Sequence, residues 1–171
     1  MPRIGSLQGR WWGFVFPLTA ILVVFADQLS KSWIREHLGP GESLGEVGFF
    51  RFTHIYNSGA AFGLFPGQSF LLTIVALVGV TALLLYAFFF HHRFPFLYNW
   101  PGRLALGLVL GGTVGNLIDR IRLGHVTDFI NFNLWPAFNL ADSAIVVGMI
   151  IIAYLLISLV FTRKPPDGKG I

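Results

Sequence analysis

Four apolar segments, each close to the length of a membrane-crossing helix, constrain the fold of this chain more than any other feature. A hydrocarbon core about 30 Å thick requires about 20 residues of helix. Only 12% of the residues are charged and 54% are hydrophobic, whereas soluble domains carry about 25% charged residues. The sequence therefore predicts an all-α membrane protein with four transmembrane helices, at Trp12 to about Ser30, Ser69 to Phe90, Trp100 to Ile118 and Leu140 to Phe161.

The first apolar segment follows Arg3 and Arg10, an arrangement also found in cleavable signal peptides. It lacks a small-residue cleavage site and runs directly into Asp27, Lys31 and Arg35. We therefore expect a retained first helix.

The distribution of Lys and Arg predicts the orientation in the membrane. Four spans place both termini on one side, and cytoplasmic loops carry an excess of these cations. Seven of the 12 cations fall on the terminal side, whereas seven of the eight acids fall on the opposite side. We expect cytoplasmic termini, with residues 36–68 and 119–139 outside. The net charge of +4 is then a topogenic signal, and no basic stripe indicates binding to nucleic acid.

Ionisable side chains inside a membrane are costly, so each is a functional hypothesis for which a partner should be named. Asp27 and Lys31 are four residues apart near the outer end of the first helix, on one face, where they can pair. Asn116 shares a stripe of the third helix with Asp119 and Arg120. We assign these residues to support of a site, with a structural ion pair and a polar helix end as the alternatives. A ridge of small residues in the same span predicts close helix packing: Gly107, Gly111 and Gly115.

Two further carboxylates, Asp128 and Asp142, are the candidates for chemistry. Asp128 ends the second outer loop, and Asp142 lies in the first turn of the fourth helix, with Asn139 as a candidate N-cap. A solvated loop acid and a helix-capping acid are the structural alternatives. Two carboxylates brought close together cannot both ionise cheaply, so one holds a proton while the other stays charged. Such a pair can activate water and polarise a peptide carbonyl.

Five motifs carry these polar residues, in order between residues 27 and 143. They are Asp27-Gln28-Leu29-Ser30-Lys31, Tyr56-Asn57-Ser58-Gly59-Ala60-Ala61-Phe62, Gly115-Asn116-Leu117-Ile118-Asp119-Arg120, Val126-Thr127-Asp128-Phe129 and Phe138-Asn139-Leu140-Ala141-Asp142-Ser143. Together they resemble the motifs of lipoprotein signal peptidase (signal peptidase II, prolipoprotein signal peptidase), an aspartyl membrane protease family. No single motif would suffice for this resemblance.

The resemblance implies an aspartic endopeptidase that cleaves the signal peptide from diacylglyceryl-modified prolipoproteins on the N-terminal side of the lipidated cysteine. It implies four helices with a small extracytoplasmic β-cradle, for which we expect residues 36–68, and no metal or organic cofactor. By the same resemblance, Asp128 and Asp142 are the catalytic residues. The positions that the resemblance implies to bind substrate, or to shape and support the pocket, are Asn57, Gly59, Asn116, Arg120, Asn139, Ala141, Asp27 and Lys31. We add Asp119 to these because of its place beside Asn116 and Arg120 on the third helix.

The resemblance also implies the partners and the location. These are prolipoprotein substrate, membrane lipid and cyclic peptide inhibitors of the globomycin type, in a bacterial cytoplasmic (inner) membrane. We expect a monomer formed by one domain, residues 1–171. The segment 129–141 between the two acids is short and rich in Phe, Asn and Trp, which we expect to alter the rim of the site more than its chemistry.

Rival interpretations of the polar residues remain open. A proton or ion pathway would distribute ionisable residues through the bilayer, but the second span has none. A non-catalytic membrane subunit needs no paired acids. A Ser/Lys protease would use Ser58 and Lys31, although Lys31 already has a partner in Asp27. A zinc site of His54 or His125 with the acids lacks recognisable ligand spacing, and the absence of cysteine excludes thiolate catalysis.

The first outer loop alternates aromatic and other residues, which predicts a short strand or hairpin with one apolar face. Small residues follow, which permit tight turns. This face is suited to lie over the site as a flexible cover, and an immobile interfacial anchor is the alternative. The residues concerned are Phe50, Phe52, Tyr56, Gly59, Phe62, Gly63 and Phe65.

Overall fold

The computed structural model describes residues 5–59, 67–90, 97 and 99–162, with side chains described from residue 13 to residue 161 of these ranges. Four α-helices run through it: α1 (Gly5–His37), α2 (Ser69–Leu85), α3 (Trp100–Leu123) and α4 (Leu140–Thr162). The π-helical turn Tyr86–Phe90 continues α2. The segments long and apolar enough to cross a membrane are Gly13–His37, Ser69–Phe90, Trp100–Leu123 and Leu140–Phe161. The predicted four-helix membrane fold is confirmed.

Two helices are longer than the sequence predicts. The first was expected to end near Ser30 and the third at Ile118, whereas α1 continues to His37 and α3 to Leu123. The charged residues that set the predicted ends are paired with one another between the two helices, so they do not terminate either one. Gly124 ends α3 in the left-handed conformation, with φ 77°, which glycine adopts without strain.

A four-stranded antiparallel sheet covers one end of the helix bundle. Its strands, in spatial order, are β1 (Ser43–Val47), β2 (Phe50–Asn57), β3 (Val126–Phe132) and β4 (Trp135–Phe138). The predicted strand in the first loop is β2, which is confirmed. The sheet draws β3 and β4 from residues 126–138, so it is built from both loops at this end rather than from 36–68 alone.

Asp128 lies within β3 and not at the end of a loop, which corrects the expectation for this acid. The first four residues of β3 are all buried, so the strand shows no alternation of polar and apolar residues. A strand covered on both faces cannot be recognised by periodicity.

The sheet packs on the ends of two helices through a small apolar core. Ile34 of α1 and Leu38, which directly follows α1, meet Phe129 from β3, all with at most 7% exposure. Phe52 packs against this cluster, 6.5 Å from Phe129 between ring centroids. Phe52 therefore serves as an interior side chain of the sheet. Three residues of the predicted cover lie outside the described residues: Phe62, Gly63 and Phe65.

The glycine ridge of α3 lies directly against α1, as predicted. A Cβ atom on Gly107 would lie 2.7 Å from the Phe16 carbonyl oxygen, and one on Gly111 would lie 2.7 Å from the Ala20 carbonyl oxygen. At the third position, a Cβ on Gly115 would lie 2.6 Å from a carboxylate oxygen of Asp27. At Gly107 and Gly111 these close approaches let the backbone of α1 pack directly on α3.

We expect Gly115→Ala to destabilise the protein by about 1–3 kcal/mol, because the added methyl displaces a buried carboxylate. Gly79→Ala in α2 is the matched control, since its Cβ meets nothing within 4 Å. The control gains helix propensity of about 0.5–1 kcal/mol. Thermal unfolding in detergent compares the two, and equal stability of both variants would contradict the packing described.

Candidate active site

A buried ion pair links α1 to α3 near the sheet. The Lys31 ammonium lies 2.8 Å from Asp27 Oδ2 and 3.3 Å from Asp119 Oδ2, and its side chain is fully buried. It also donates to Asn116 Oδ1 at 2.8 Å. Arg35 Nη1 lies 3.6 Å from the other oxygen of Asp119. The expected pair of Asp27 and Lys31 is confirmed, and it forms part of a larger charge network.

Gln28 completes this network, although it was not selected from the sequence as a candidate site residue. Its Nε2 donates to Asp27 Oδ2 at 3.2 Å, to Asp119 Oδ1 at 3.2 Å and to the Gly115 carbonyl at 3.0 Å. The backbone N–H of Thr127 donates to Asp119 Oδ2 at 3.0 Å, which ties the start of β3 to α3. Asp119 therefore positions the strand that carries Asp128.

Asp128 is 2% exposed and is held by two amide side chains. Asn57, at the end of β2, donates to Asp128 Oδ2 at 2.8 Å. Asn139, which precedes α4, donates to Asp128 Oδ1 at 2.7 Å. Pairing of Asp128 with Ile55 across the sheet brings Asn57 alongside. Both carboxylate oxygens thus accept a hydrogen bond from an uncharged donor.

Asp142 lies at the third position of α4, where it and Asn139 cap the helix reciprocally. Asn139 Oδ1 accepts from the Asp142 backbone N–H at 2.9 Å, as expected of an N-cap. The Asn139 N–H in turn approaches Asp142 Oδ2 at 3.4 Å. Asn116 Nδ2 donates to Asp142 Oδ1 at 2.8 Å. Because Asn139 also bonds Asp128, one asparagine connects the two carboxylates.

Arg120 and Ala141 complete the surroundings of the two acids. Arg120 Nη2 donates to the Gly59 carbonyl at 3.0 Å, and the Gly59 N–H donates to Asn57 Oδ1 at 2.8 Å. Gly59 is therefore held through both its N–H and its carbonyl oxygen. The Ala141 N–H donates to Asp27 Oδ1 at 3.0 Å, which fixes the first turn of α4 on the buried ion pair.

Burial, together with the nearby charge of Asp142, raises the pKa of Asp128 from its ordinary value of 3.8 to about 7. The hydrogen bonds from Asn57 and Asn139 oppose the shift, as does the charge of Lys31. A carboxyl with this pKa keeps its proton near neutral pH and can act as an acid.

The structure brings all the predicted site residues into one connected cluster of hydrogen bonds and ion pairs. The residues of the rival sites make other contacts. His54 Nδ1 bonds the Leu38 carbonyl, and the rings of His125 and Tyr56 pack at a tilt with centroids 4.0 Å apart. Among residues 5–59, 67–90, 97 and 99–162, no three His, Asp or Glu are grouped so as to hold a metal ion. Ser58 Oγ accepts from the Gly67 N–H, and the partners of Lys31 are the acids and Asn116.

Comparison with known proteins decides the family. The family model described as signal peptidase (SPase) II matches residues 19–158. The chain belongs to the signal peptidase II family. It is therefore a peptidase, and its four apolar helices make it a multi-pass bacterial membrane protein.

Individual relatives agree with the assignment to signal peptidase II. A lipoprotein signal peptidase of Dehalococcoides mccartyi is 47% identical over 85% of this chain and 91% of its own length. That of Moorella thermoacetica is 46% identical over 83% of this chain and 92% of its own. A bacterial membrane enzyme structure solved by the in meso method at 2.3 Å is 30% identical, with a TM-score of 0.76, and covers 89% of this chain and 93% of that one.

Proposed function

We propose that this signal peptidase is an aspartic endopeptidase in which Asp128 and Asp142 form the catalytic pair. Removal of signal peptides from prolipoproteins is the activity of its family. The observation that supports the aspartic mechanism is the bridge through Asn139, which bonds Asp128 and caps the helix that carries Asp142. No Ser–Lys contact accompanies it among the hydrogen bonds of the described residues.

In this mechanism Asp142 is the base and Asp128 is the acid. Asp142 removes a proton from water as the water oxygen attacks the scissile carbonyl, while Asp128 donates its proton to the carbonyl oxygen. The resulting gem-diol collapses as Asp142 gives its proton to the leaving amine and Asp128 takes a proton back from a diol hydroxyl. Both acids end in their starting states, with one water consumed.

An apolar cavity beside Asp142 supports the assignment of a lipidated substrate. It has a volume of about 380 Å³ and opens between β4 and the first two turns of α4. We infer that the diacylglyceryl group of the substrate cysteine lies here while the peptide reaches the two acids. The lining residues besides Asp142 are Trp135, Phe138, Ser143, Ile145, Val146 and Val147.

Removal of the diacylglyceryl group from a precursor should lower kcat/KM by at least about 100-fold, because the apolar contacts that hold the cysteine are lost. The measurement uses purified protein in lipid nanodiscs and a precursor with or without its lipid, with the cleavage site located by mass spectrometry. Val146→Asp should weaken cleavage of the lipidated precursor, whereas the same change at exposed Val160, remote along α4, serves as the control. Equal cleavage of both precursors would contradict the lipidated-substrate assignment.

We further propose that the termini are cytoplasmic and that the sheet and the two acids lie at the outer face of the inner membrane. The asymmetry of Lys and Arg supports this orientation. The chain has no cysteine, so single substitutions provide unique labels. A membrane-impermeant maleimide should label Ser43→Cys, which is exposed in β1, in intact cells. Asp167→Cys should react only after permeabilisation, and the reverse pattern would overturn the orientation.

The remaining expectations follow from the same proposal. We infer that the chain acts as a monomer and as a single domain over residues 1–171, with the strands of residues 36–68 contributing part of the sheet. Cyclic peptides of the globomycin type are proposed to inhibit it by occupying the site beside Asp128 and Asp142.

A further inference from the structure

Asn116 connects the buried ammonium of Lys31 to the carboxylate of Asp142. Its Oδ1 accepts from Lys31 Nζ at 2.8 Å, and its Nδ2 donates to Asp142 Oδ1 at 2.8 Å. An ammonium has only donors, so the amide oxygen must face Lys31 and the amide N–H must face Asp142. The ammonium polarises the amide toward it, which strengthens the hydrogen bond at the other end.

Asp128 is connected to Lys31 in a different way, because Asn139 Nδ2, which donates to Asp128 Oδ1, also donates to the same Asn116 Oδ1 at 3.2 Å. Its two oxygens accept from Asn57 and Asn139. A backbone N–H fixes the orientation of each amide. The Gly59 N–H donates to Asn57 Oδ1, and the Asp142 N–H donates to Asn139 Oδ1. The two acids therefore differ in how they are connected to Lys31. The amide that the ammonium polarises donates to Asp142, whereas the amide that donates to Asp128 is itself a second donor to the oxygen that accepts from the ammonium.

The charges around the two acids balance when the pair holds one proton. Lys31 and Arg35 face Asp27 and Asp119, so those four charges cancel. The cation Arg120 from α3 interacts electrostatically with both Asp128 and Asp142. One cation opposite two acids leaves room for one negative charge, because a second uncompensated charge at this depth is costly.

We propose that Lys31, acting through Asn116, determines which acid is ionised: it places the negative charge on Asp142 as the base and leaves the proton on Asp128 as the acid. This rests on the proposed aspartic mechanism and adds a positioning role for two residues that do not touch the substrate. The first-turn position of Asp142 in α4 acts in the same direction, because the N-terminus of a helix favours an anion.

The test is the pH dependence of kcat/KM for cleavage of a lipidated precursor by purified protein. Asn116→Leu removes the connection while leaving Lys31 with Asp27 and Asp119. We expect the acid limb, on which Asp142 gains its proton, to move up by about one pH unit, which is a tenfold loss of activity on that limb. The double variant Lys31→Met with Asp27→Asn removes one cation and one anion together and should move the limb in the same direction.

Gln28→Leu is the matched control for damage to the network. Gln28 bonds the same Asp27 and Asp119 but has no hydrogen bond to Asp128 or Asp142. It should lower the unfolding temperature and leave the acid limb in place. If Asn116→Leu or the double variant retains the wild-type limb while folded, Lys31 is a structural anchor and the inference is wrong. Failure of the aspartic mechanism itself has a different signature, since Asp142→Asn would then remain active in the same assay.

Discussion

Asp128→Asn and Asp142→Asn are each expected to lower kcat for precursor cleavage by at least about 10⁴-fold, and the double variant is expected to be little slower than either one. The reason is that acid and base act in the same step, so loss of one removes most of what the pair contributes. The measurement is turnover of a diacylglyceryl-modified precursor by protein purified in detergent or nanodiscs.

Glu46→Gln is the control for an acid-to-amide change, because Glu46 is exposed in β1, at the edge of the sheet. It should cleave at the wild-type rate. Each Asn variant must also elute as folded protein, since Asn139 bridges both positions. Near-normal turnover by either folded single variant would refute the assignment of the pair.

Activity is expected to fall about tenfold per pH unit as pH rises through about 7. Burial and the charge of Asp142 raise the pKa of Asp128 to about 7. Above this pH, Asp128 no longer holds the proton that it donates to the substrate carbonyl in the proposed mechanism. The measurement is the alkaline limb of kcat/KM against pH. His125→Gln is the control, because burial lowers the pKa of His125 and its charge plays no part in the mechanism. If the alkaline limb moves in His125→Gln, the group that titrates there is His125 and not Asp128.

The same shift predicts how stability depends on pH. Asp128 binds its proton more tightly in the folded protein than in the unfolded chain, so folding takes up protons between about pH 4 and 7. The contribution of Asp128 to stability is therefore greatest below about pH 4 and is lost as pH rises to about 7. The free energy of unfolding of wild type minus that of Asp128→Asn should decline across this window and then level off. A difference independent of pH would contradict the raised pKa.

The four spans were predictable because the length and apolarity of a segment suffice to identify a membrane helix. The outer ends of the first and third spans were not, because Lys31 and Asp119 directly follow the predicted ends but are paired inside the bundle. A charge limits a span only while it has no partner at membrane depth, and partners from different helices are not adjacent in sequence.

The site, like the spans, was predictable in part. The two candidate acids were identified from the residue pattern and the family motifs, and Asn139 was predicted as the N-cap from its position alone. The strand that carries Asp128 was missed because burial on both faces removes the alternation of residue types. Gln28 was missed because it is uncharged, and the selection of functional candidates in the spans began with ionisable residues. In the structure it bonds two buried acids.

Isotope-edited infrared spectroscopy of the carboxyl groups tests the central claim, that two aspartates share one proton, most directly. Protein labelled with ¹³C-aspartate is measured at about pH 6, one unit below the pKa of Asp128, at which most molecules hold the proton. We predict one protonated-carboxyl band that is absent in Asp128→Asn and decreases as pH rises through about 7. The absence of any such band in the wild type, or its persistence in Asp128→Asn, would contradict the account.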